Sequence, residues 1–254
     1  MKPLFSIITV TFNASSTLSP TLKSVGEQSF TDFEHLIIDG ASSDNTVDIA
    51  QASAVPEKTK IFSEPDFGLY DAMNKGIDKA TGEYLIFLNA GDTFHSADSL
   101  QKISDTIKAN DCPGIVYGQT AIVDSNRNII ADRHLIAPEK LEYKSFKQGM
   151  VVCHQAFVVL ARIAPMYDMR YRFSSDYDWC IKCLQHSRHN VYVGDTTIDF
   201  LYEGLTSKNR KKSLIERFKI MSKYYGFIPT FVNHIRFIPR FISRRREENK
   251  LLQH

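Results

Sequence analysis

No stretch of the 254 residues approaches the roughly 20 consecutive apolar positions that a membrane-spanning helix needs. Near the N-terminus one lysine precedes an apolar run broken by Thr9, Thr11 and Asn13, too short and too polar for a secretory signal. Cysteine is scarce. The four present, Cys112, Cys153, Cys180 and Cys183, do not build a disulfide framework in a chain this long. Cys180-x-x-Cys183 lacks the second pair of a zinc site and falls in a helical pattern beside the single tryptophan, Trp179, so it reads as packing. Together these features predict a cytosolic protein with reduced thiols. A glycine-rich phosphate loop of the dinucleotide or Walker type is missing, which argues against NAD enzymes and NTPases. A Gly-x-Ser-x-Gly elbow is missing too, which argues against an α/β-hydrolase.

An apolar fraction of 43% and a charged fraction of 24% are ordinary for a globular protein. The length suits one large α/β domain, or a domain with an appendage. The net charge of +2 hides an asymmetry, because residues 208–246 hold 12 Lys/Arg against one Glu while residues 1–207 carry −8. An acidic body with a basic tail points to an anionic surface as partner, either membrane or nucleic acid.

What the chain does have is a series of short apolar runs ending in polar tips. Phe5–Phe12 is β-branched, lies between Pro3 and Asn13, and reads as a first strand. Leu18, Leu22 and Val25 recur at helical spacing. His35–Asp39 reads as a second buried strand, followed by the loop Gly40–Asp44 and a helix over Thr46–Ala52 capped by Ser43 or Asp44. Lys60–Ser63 is a short third strand, and a helix over Leu69–Ala80 stops at Gly82. A strand over Tyr84–Asn89 and a helix over about Asp98–Lys108 follow. This alternation predicts an α/β fold built on βαβ units, with a mostly parallel central sheet and helices on both faces. Asn13, Asp39 and the pair Asn89/Asp92 then fall along the carboxyl edge, where open α/β sheets bind their ligands. Beyond residue 114, Ile115–Val123 and Asn128–Ala131 flank a hairpin turn. Val151–Leu160 and Val191–Val193 read as added strands, with a helix over Asp176–His186 between them.

The polar tips suggest chemistry. Asp39 can accept from the ring N–H of a base or from ribose hydroxyls. Mg²⁺ or Mn²⁺ takes oxygen ligands, usually one or two carboxylates plus substrate phosphates, and Asp92 suits that role with Asn89 as a neutral helper. Asp176, in Arg172-Phe-Ser-Ser-Asp176-Tyr-Asp178-Trp179, stands at a helix start, either as a general base or as a helix cap. His154-Gln155, between two apolar runs, can hold an acceptor or a phosphate, with a structural histidine as the alternative.

In chain order, Ser6–Asn13, Ile38–Thr46, Glu64–Gly76, Thr81–Tyr84 and Leu88–Asp92 resemble an inverting glycosyltransferase of family 2, with the nucleotide-diphospho-sugar transferase fold called GT-A. A second block, Cys153-His-Gln155 through Ser175-Asp-Tyr-Asp178, resembles the bacterial surface-polysaccharide branch, of the colanic-acid type. The resemblance covers roughly residues 4–207. It implies a GT-A domain over 1–207, with a donor half of about 1–112 and an acceptor half of about 113–207. By position it implies Asp39 at the nucleobase and Asp66 in the donor pocket, with Thr11, Asn13, Asn74, Lys75 and Asn89 also binding the donor. Asp92 becomes the ligand of Mg²⁺ or Mn²⁺, Asp176 the general base, and His154, Gln155 and Asp178 acceptor-side residues. The chain departs from the family pattern in three places. Asn89-Ala-Gly-Asp92 stands for an Asp-x-Asp motif, Ser175 for the Glu of a Glu-Asp pair, and Met73 for the Arg of an Arg-Asn pair. The implied reaction moves a sugar from a nucleotide-diphospho-sugar to a hydroxyl of a lipid-linked saccharide, with inversion.

Residues 208–254 read as a basic amphipathic helical tail. Ser213–Tyr225 carries Leu214, Phe218 and Met221 on one side, with Arg217, Lys219 and Lys223 elsewhere. Phe227–Ile242 is rich in Phe and Ile, with Arg236 and Arg240 interleaved and Pro239 as a kink, before Arg244-Arg245-Arg246. Such segments lie in membrane interfaces, where each Lys or Arg contributes about 1 kcal/mol near an anionic leaflet. The expectation is a peripheral enzyme on the inner face of the cytoplasmic membrane; the alternative is a helix packed on the catalytic domain. Two rival functions fit the sequence less well. A sugar-1-phosphate nucleotidyltransferase wants a Gly-rich basic loop after the first strand, which Asn13–Leu18 does not supply. A nucleic-acid-binding protein using the tail fits poorly with the acidic body.

Overall fold

The computed structural model describes residues 2–52, 55–133, 135–202 and 209–235. The apolar runs become the parallel half of one sheet: β1 (Phe5–Thr11), β2 (Phe33–Asp39), β3 (Thr59–Ser63) and β4 (Tyr84–Phe87), in the spatial order β3-β2-β1-β4. Every residue of β1, β2 and β4 is buried, as strands covered on both faces require. Alternation splits their side chains between two cores. Ile8, Val10, Leu36, Leu85 and Phe87 enter one; Phe5, Ile7, Tyr84 and Ile86 enter the other.

The first core is roofed by α3 (Leu69–Lys79) and α5 (Ser175–His186), through Tyr70, Met73, Tyr177, Trp179 and Ile181. The second takes Val25 from α1 (Leu18–Gly26) and Leu100, Ile103 and Ile107 from α4 (Ser99–Ala109). A small third cluster joins α1 to α2 (Thr46–Gln51) through Leu18, Leu22 and Ala50. Cys153, Cys180 and Cys183 are buried free thiols inside these cores, in keeping with a packing role.

Past β4 the sheet becomes mixed. β8 (Phe157–Leu160) inserts antiparallel between β4 and β6 (Ile115–Val123), and β9 (Asn190–Leu201) runs parallel to β6. β7 (Ile129–Asp132) closes the expected hairpin on β6. The chain leaves β4 at Phe87 and re-enters the sheet at β5 (Thr93–Phe94), but there it pairs with β9 at the far end. The sheet therefore curls back on itself and brings Leu201 beside the turn after β4.

Three segments differ from the expectation. The strand read over Val151–Leu160 is regular only from Phe157, because His154–Ala156 forms a 3-10 turn. β9 runs twelve residues, not the three of Val191–Val193. The tail helix, α6 (Arg210–Tyr225), buries Ile220, Met221 and Tyr225 in the first core, so this part of the segment read as separate packs on the domain. Residues 227–235 are helical too, while Arg236, Pro239, Arg240 and Arg244–Arg246 lie outside the described residues. Among the described residues no helix is long and apolar enough to cross a membrane.

Candidate active site

The carboxyl ends of β1 and β2 are stitched together around Asp39. Thr11 on β1 lies opposite Asp39 on β2 and donates to its Oδ1 at 3.0 Å. Ser42 donates twice, from Oγ to Oδ1 at 2.5 Å and from its backbone N–H to Oδ2 at 2.9 Å; Ser63 Oγ reaches Oδ2 at 2.7 Å. Burial alone would raise the Asp39 carboxyl, but these donors outweigh it and hold the group below its ordinary value. Asn13, with φ of 47°, is turned so that its Oδ1 accepts from the Ser43 N–H at 2.9 Å while its own N–H donates to Ser42 Oγ. Gly40 is needed beside this cluster: a Cβ there would stand 2.3 Å from Asp66 Oδ2 and 3.3 Å from the Phe12 ring. Thr11, Asn13, Asp39 and Asp66 thus gather at one edge of the sheet. Phe12, which pattern reasoning had treated only as the last residue of a strand, is 64% exposed at its edge.

The second group sits on the turn after β4. The Asp92 N–H donates to the Asn89 carbonyl, and Gly91 makes the turn with φ of +105°. The Asp92 carboxylate is buried and accepts from Gln155 Nε2 at 2.7 Å and from the Leu201 N–H at 3.0 Å. Burial pushes it up to about 7, only partly opposed by those donors and by Arg127, which donates to the Gly91 carbonyl. Asn89 Oδ1 is buried with no hydrogen-bond partner. An orphaned oxygen and a single carboxylate on one turn fit a small hard cation that draws its other ligands from phosphate and water. No cluster of three or more His, Cys, Asp or Glu side chains converges among the described residues.

Asp176 stands in the first turn of α5. Its Oδ1 accepts from the Tyr177 N–H at 2.9 Å and from the Tyr70 hydroxyl at 3.0 Å. Oδ2 accepts no hydrogen bond among the described residues.

Other candidates are engaged elsewhere. Asn74 spends both ends of its amide on the Tyr167 backbone, accepting at 2.7 Å and donating at 3.2 Å, which latches α3 to the segment before α5. Lys75 donates to the Pro65 carbonyl at 2.7 Å and pairs with Glu64 at 3.3 Å, bracing the loop that carries Asp66. His154 is not presented to an acceptor. It is buried among Phe87, Tyr167 and Trp179, hydrogen-bonds Tyr167 Oη at 2.5 Å, and is pushed down to about 4 by burial, hence neutral. Gln155 is buried against Asp92 rather than open to an acceptor. Asp178 is fully buried in ion pairs with Lys182 at 2.6 Å and Lys223 at 3.1 Å, and accepts from Tyr224 Oη at 2.9 Å. It fastens α6 to α5.

A curled α/β sheet with carboxylates at its parallel edge is the architecture of the GT-A class of nucleotide-sugar enzymes. Residues 6–164 match the model of Glycosyl transferase family 2, and the chain belongs to that family; it is a glycosyltransferase. A PGL/p-HBAD biosynthesis glycosyltransferase of Mycobacterium tuberculosis is 36% identical over 194 residues, 72% of this chain and 71% of that one. TuaG of Bacillus subtilis, named for teichuronic acid biosynthesis, is 29% identical over 153 residues, 59% of this chain and 60% of that one. Among solved structures, S. aureus TarS in complex with UDP-GlcNAc superposes with a TM-score of 0.72 at 16% identity, over 87% of this chain and 65% of that one. The mannosyltransferase PcManGT of Pyrobaculum calidifontis, in complex with GDP-Man and Mn²⁺, gives 0.64 at 14% identity, over 100% of this chain and 81% of that one. At these identities the likeness is one of fold. Family membership replaces the nucleotidyltransferase reading.

Proposed function

We propose that this enzyme transfers a sugar from a nucleotide-diphospho-sugar to an acceptor hydroxyl with inversion, with Asp176 as general base, in the synthesis of a cell-surface glycan. The observation that carries the mechanism is the setting of Asp176. One carboxylate oxygen is fixed by Tyr70 and the Tyr177 N–H, which supports a role for the other in accepting the proton of the incoming hydroxyl.

The base of the donor lies at the Asp39 cleft, where Phe12 offers an exposed ring for stacking and Asp66 flanks the ribose. Asn89 and Asp92 would hold Mg²⁺ or Mn²⁺, which supplies charge neutralisation at the diphosphate when bound. Asp176 takes the proton as the acceptor oxygen attacks the anomeric carbon on the face opposite the leaving group. One displacement of this kind inverts configuration and needs no covalent sugar–enzyme intermediate.

The surface-glycan assignment is supported by the names of the mycobacterial and Bacillus relatives, and the donor class by the ligands of the structural neighbours. For the acceptor we favour a lipid-linked saccharide met at an anionic membrane, on the inner face of the cytoplasmic membrane. Residues 227–235 support this, leaving Phe227, Ile228, Phe231 and Ile235 more than half exposed.

General-base help is typically worth about 10²–10⁴-fold. Asp176→Asn should therefore lower turnover at least about 100-fold and leave donor affinity, read by titration calorimetry, nearly unchanged. A near-wild-type rate removes Asp176 from the role.

A further inference from the structure

The charges around Asp176 do not balance. Arg133, just after β7, has its Nη1 shielded from solvent with no hydrogen-bond partner. Arg217, on α6, has its Nε in the same state, and its guanidinium lies 5.8 Å over the ring of Tyr177. Neither makes an ion pair among the described residues. Burial lowers the Arg133 guanidinium, and the charge of Arg217 lowers it further, while Asp176 works against both. The other groups within electrostatic reach of Arg133 are the thiols of Cys153 and Cys180, which burial pushes up and keeps neutral. Arg133 therefore meets a second guanidinium and one carboxylate, Asp176, that is hydrogen-bonded to neither arginine.

Lys182 and Lys223, by contrast, converge on Asp178. Leaving a charge shielded and unpaired is strongly destabilising. A planar guanidinium fork suits the oxygens of a phosphate, which it can grip in bidentate fashion. A doubly charged anion set between Arg133 and Arg217 would satisfy the orphaned nitrogens and turn their repulsion into a shared attraction.

We infer that Arg133 and Arg217 form an anion clamp beside Asp176 that takes a diphosphate group. Two groups of that chemistry meet in the reaction: the diphosphate of the nucleotide donor and that of a lipid-linked acceptor. Only the choice between them rests on the proposed function; the anion site does not. Arg217 lies beyond residues 6–164, so the clamp adds to the family core a residue supplied by the C-terminal helix.

The test is a set of thermal melts on the full-length chain with inorganic pyrophosphate, UDP, GDP and farnesyl diphosphate. It compares the wild type with Arg133→Gln, Arg217→Gln, the double variant, and Lys219→Gln as a control on the exposed face of α6. Pyrophosphate should raise the melting temperature of the wild type and of Lys219→Gln, with apparent affinity at least about tenfold weaker in each arginine variant. Without anion, each arginine variant should melt at or above the wild type, because an unpaired cation has been removed. Protection by UDP or GDP alone assigns the clamp to the donor, and protection by farnesyl diphosphate alone assigns it to the acceptor. Equal protection of wild type and arginine variants by pyrophosphate, or none in the wild type, overturns the clamp. The pyrophosphate arm contains no sugar nucleotide, so it stands or falls apart from the rate of Asp176→Asn.

Discussion

The Tyr70 hydroxyl donates to Asp176 Oδ1 at 3.0 Å across 106 residues of sequence, joining α3 to the first turn of α5. Tyr70 is itself held in place, stacked at 5.6 Å on Tyr167, which stacks at 5.0 Å on Trp179. That hydroxyl fixes one carboxylate oxygen and so orients the group. Tyr70→Phe should therefore lower turnover while leaving donor affinity, read by titration calorimetry, nearly unchanged. The same change should remove about 1 kcal/mol of stability. Wild-type turnover in Tyr70→Phe would show that this contact does not orient Asp176 for the reaction.

Asp92 gives a pH signature with a definite sign. Its folded value of about 7 lies above the ordinary 3.8, so the native state keeps a proton that the unfolded chain has already lost. Its contribution to stability is full below about 3.8 and is lost as pH rises towards 7. His35 and His154, both pushed down to about 4 from 6.5 by burial, act in the opposite sense: their stability is present above 6.5 and lost as pH falls towards 4. The clean measurement is thus the difference between wild type and Asp92→Asn. The variant should gain on the wild type between pH 4 and 7 and hold an advantage of a few degrees, on the order of the 2–4 °C that each kcal/mol gives in a chain this size. Mn²⁺ with a nucleoside diphosphate should raise the melting temperature of the wild type at pH 8 and not that of the variant. A difference that is flat with pH would mean Asp92 titrates normally.

The exposed apolar face of residues 227–235 should bind anionic vesicles. In a flotation assay at low salt, the full chain should rise with phosphatidylglycerol vesicles and stay behind with phosphatidylcholine vesicles. Adding salt to about 0.5 M should release it, since surface charges are screened within a few Å there. Phe227→Ser with Phe231→Ser should weaken flotation without touching Ile220 or Met221, which anchor α6 from the other side. A chain that stays at the bottom of the gradient with anionic vesicles sinks the membrane reading.

The sequence disclosed the parallel half of the fold because its strands are covered on both faces and written in unbroken apolar residues, as in Tyr84–Leu88. It disclosed little of β9, whose side chains are mostly half-exposed and whose run Gly194-Asp-Thr-Thr197 carries no apolar signal. Polar strand ends drew attention to Asp39 and Asp92, since a carboxylate after a buried strand stands out locally. Asn74 and His154 were drawn to the site by motif position. Their partners, the Tyr167 backbone and the ring set of Phe87, Tyr167 and Trp179, come from distant segments that only the folded chain assembles. Arg133 and Arg217 were invisible as a pair for the same reason. Each sits in ordinary surroundings, and what marks them is a shielded nitrogen with no hydrogen-bond partner among the described residues.

An ionised carboxylate has about four acceptor positions, and those of Asp39 are already taken by Thr11, Ser63 and the two donors of Ser42. A nucleobase N–H cannot simply be added to such a group; it must displace a hydroxyl, which then turns to water or to the ligand. Binding there is an exchange of one donor for another, close to neutral in the number of hydrogen bonds. Selection among bases would then rest on whether the newcomer's donor lies where the departing hydroxyl lay, so that a misplaced ring forfeits the exchange instead of merely binding less well.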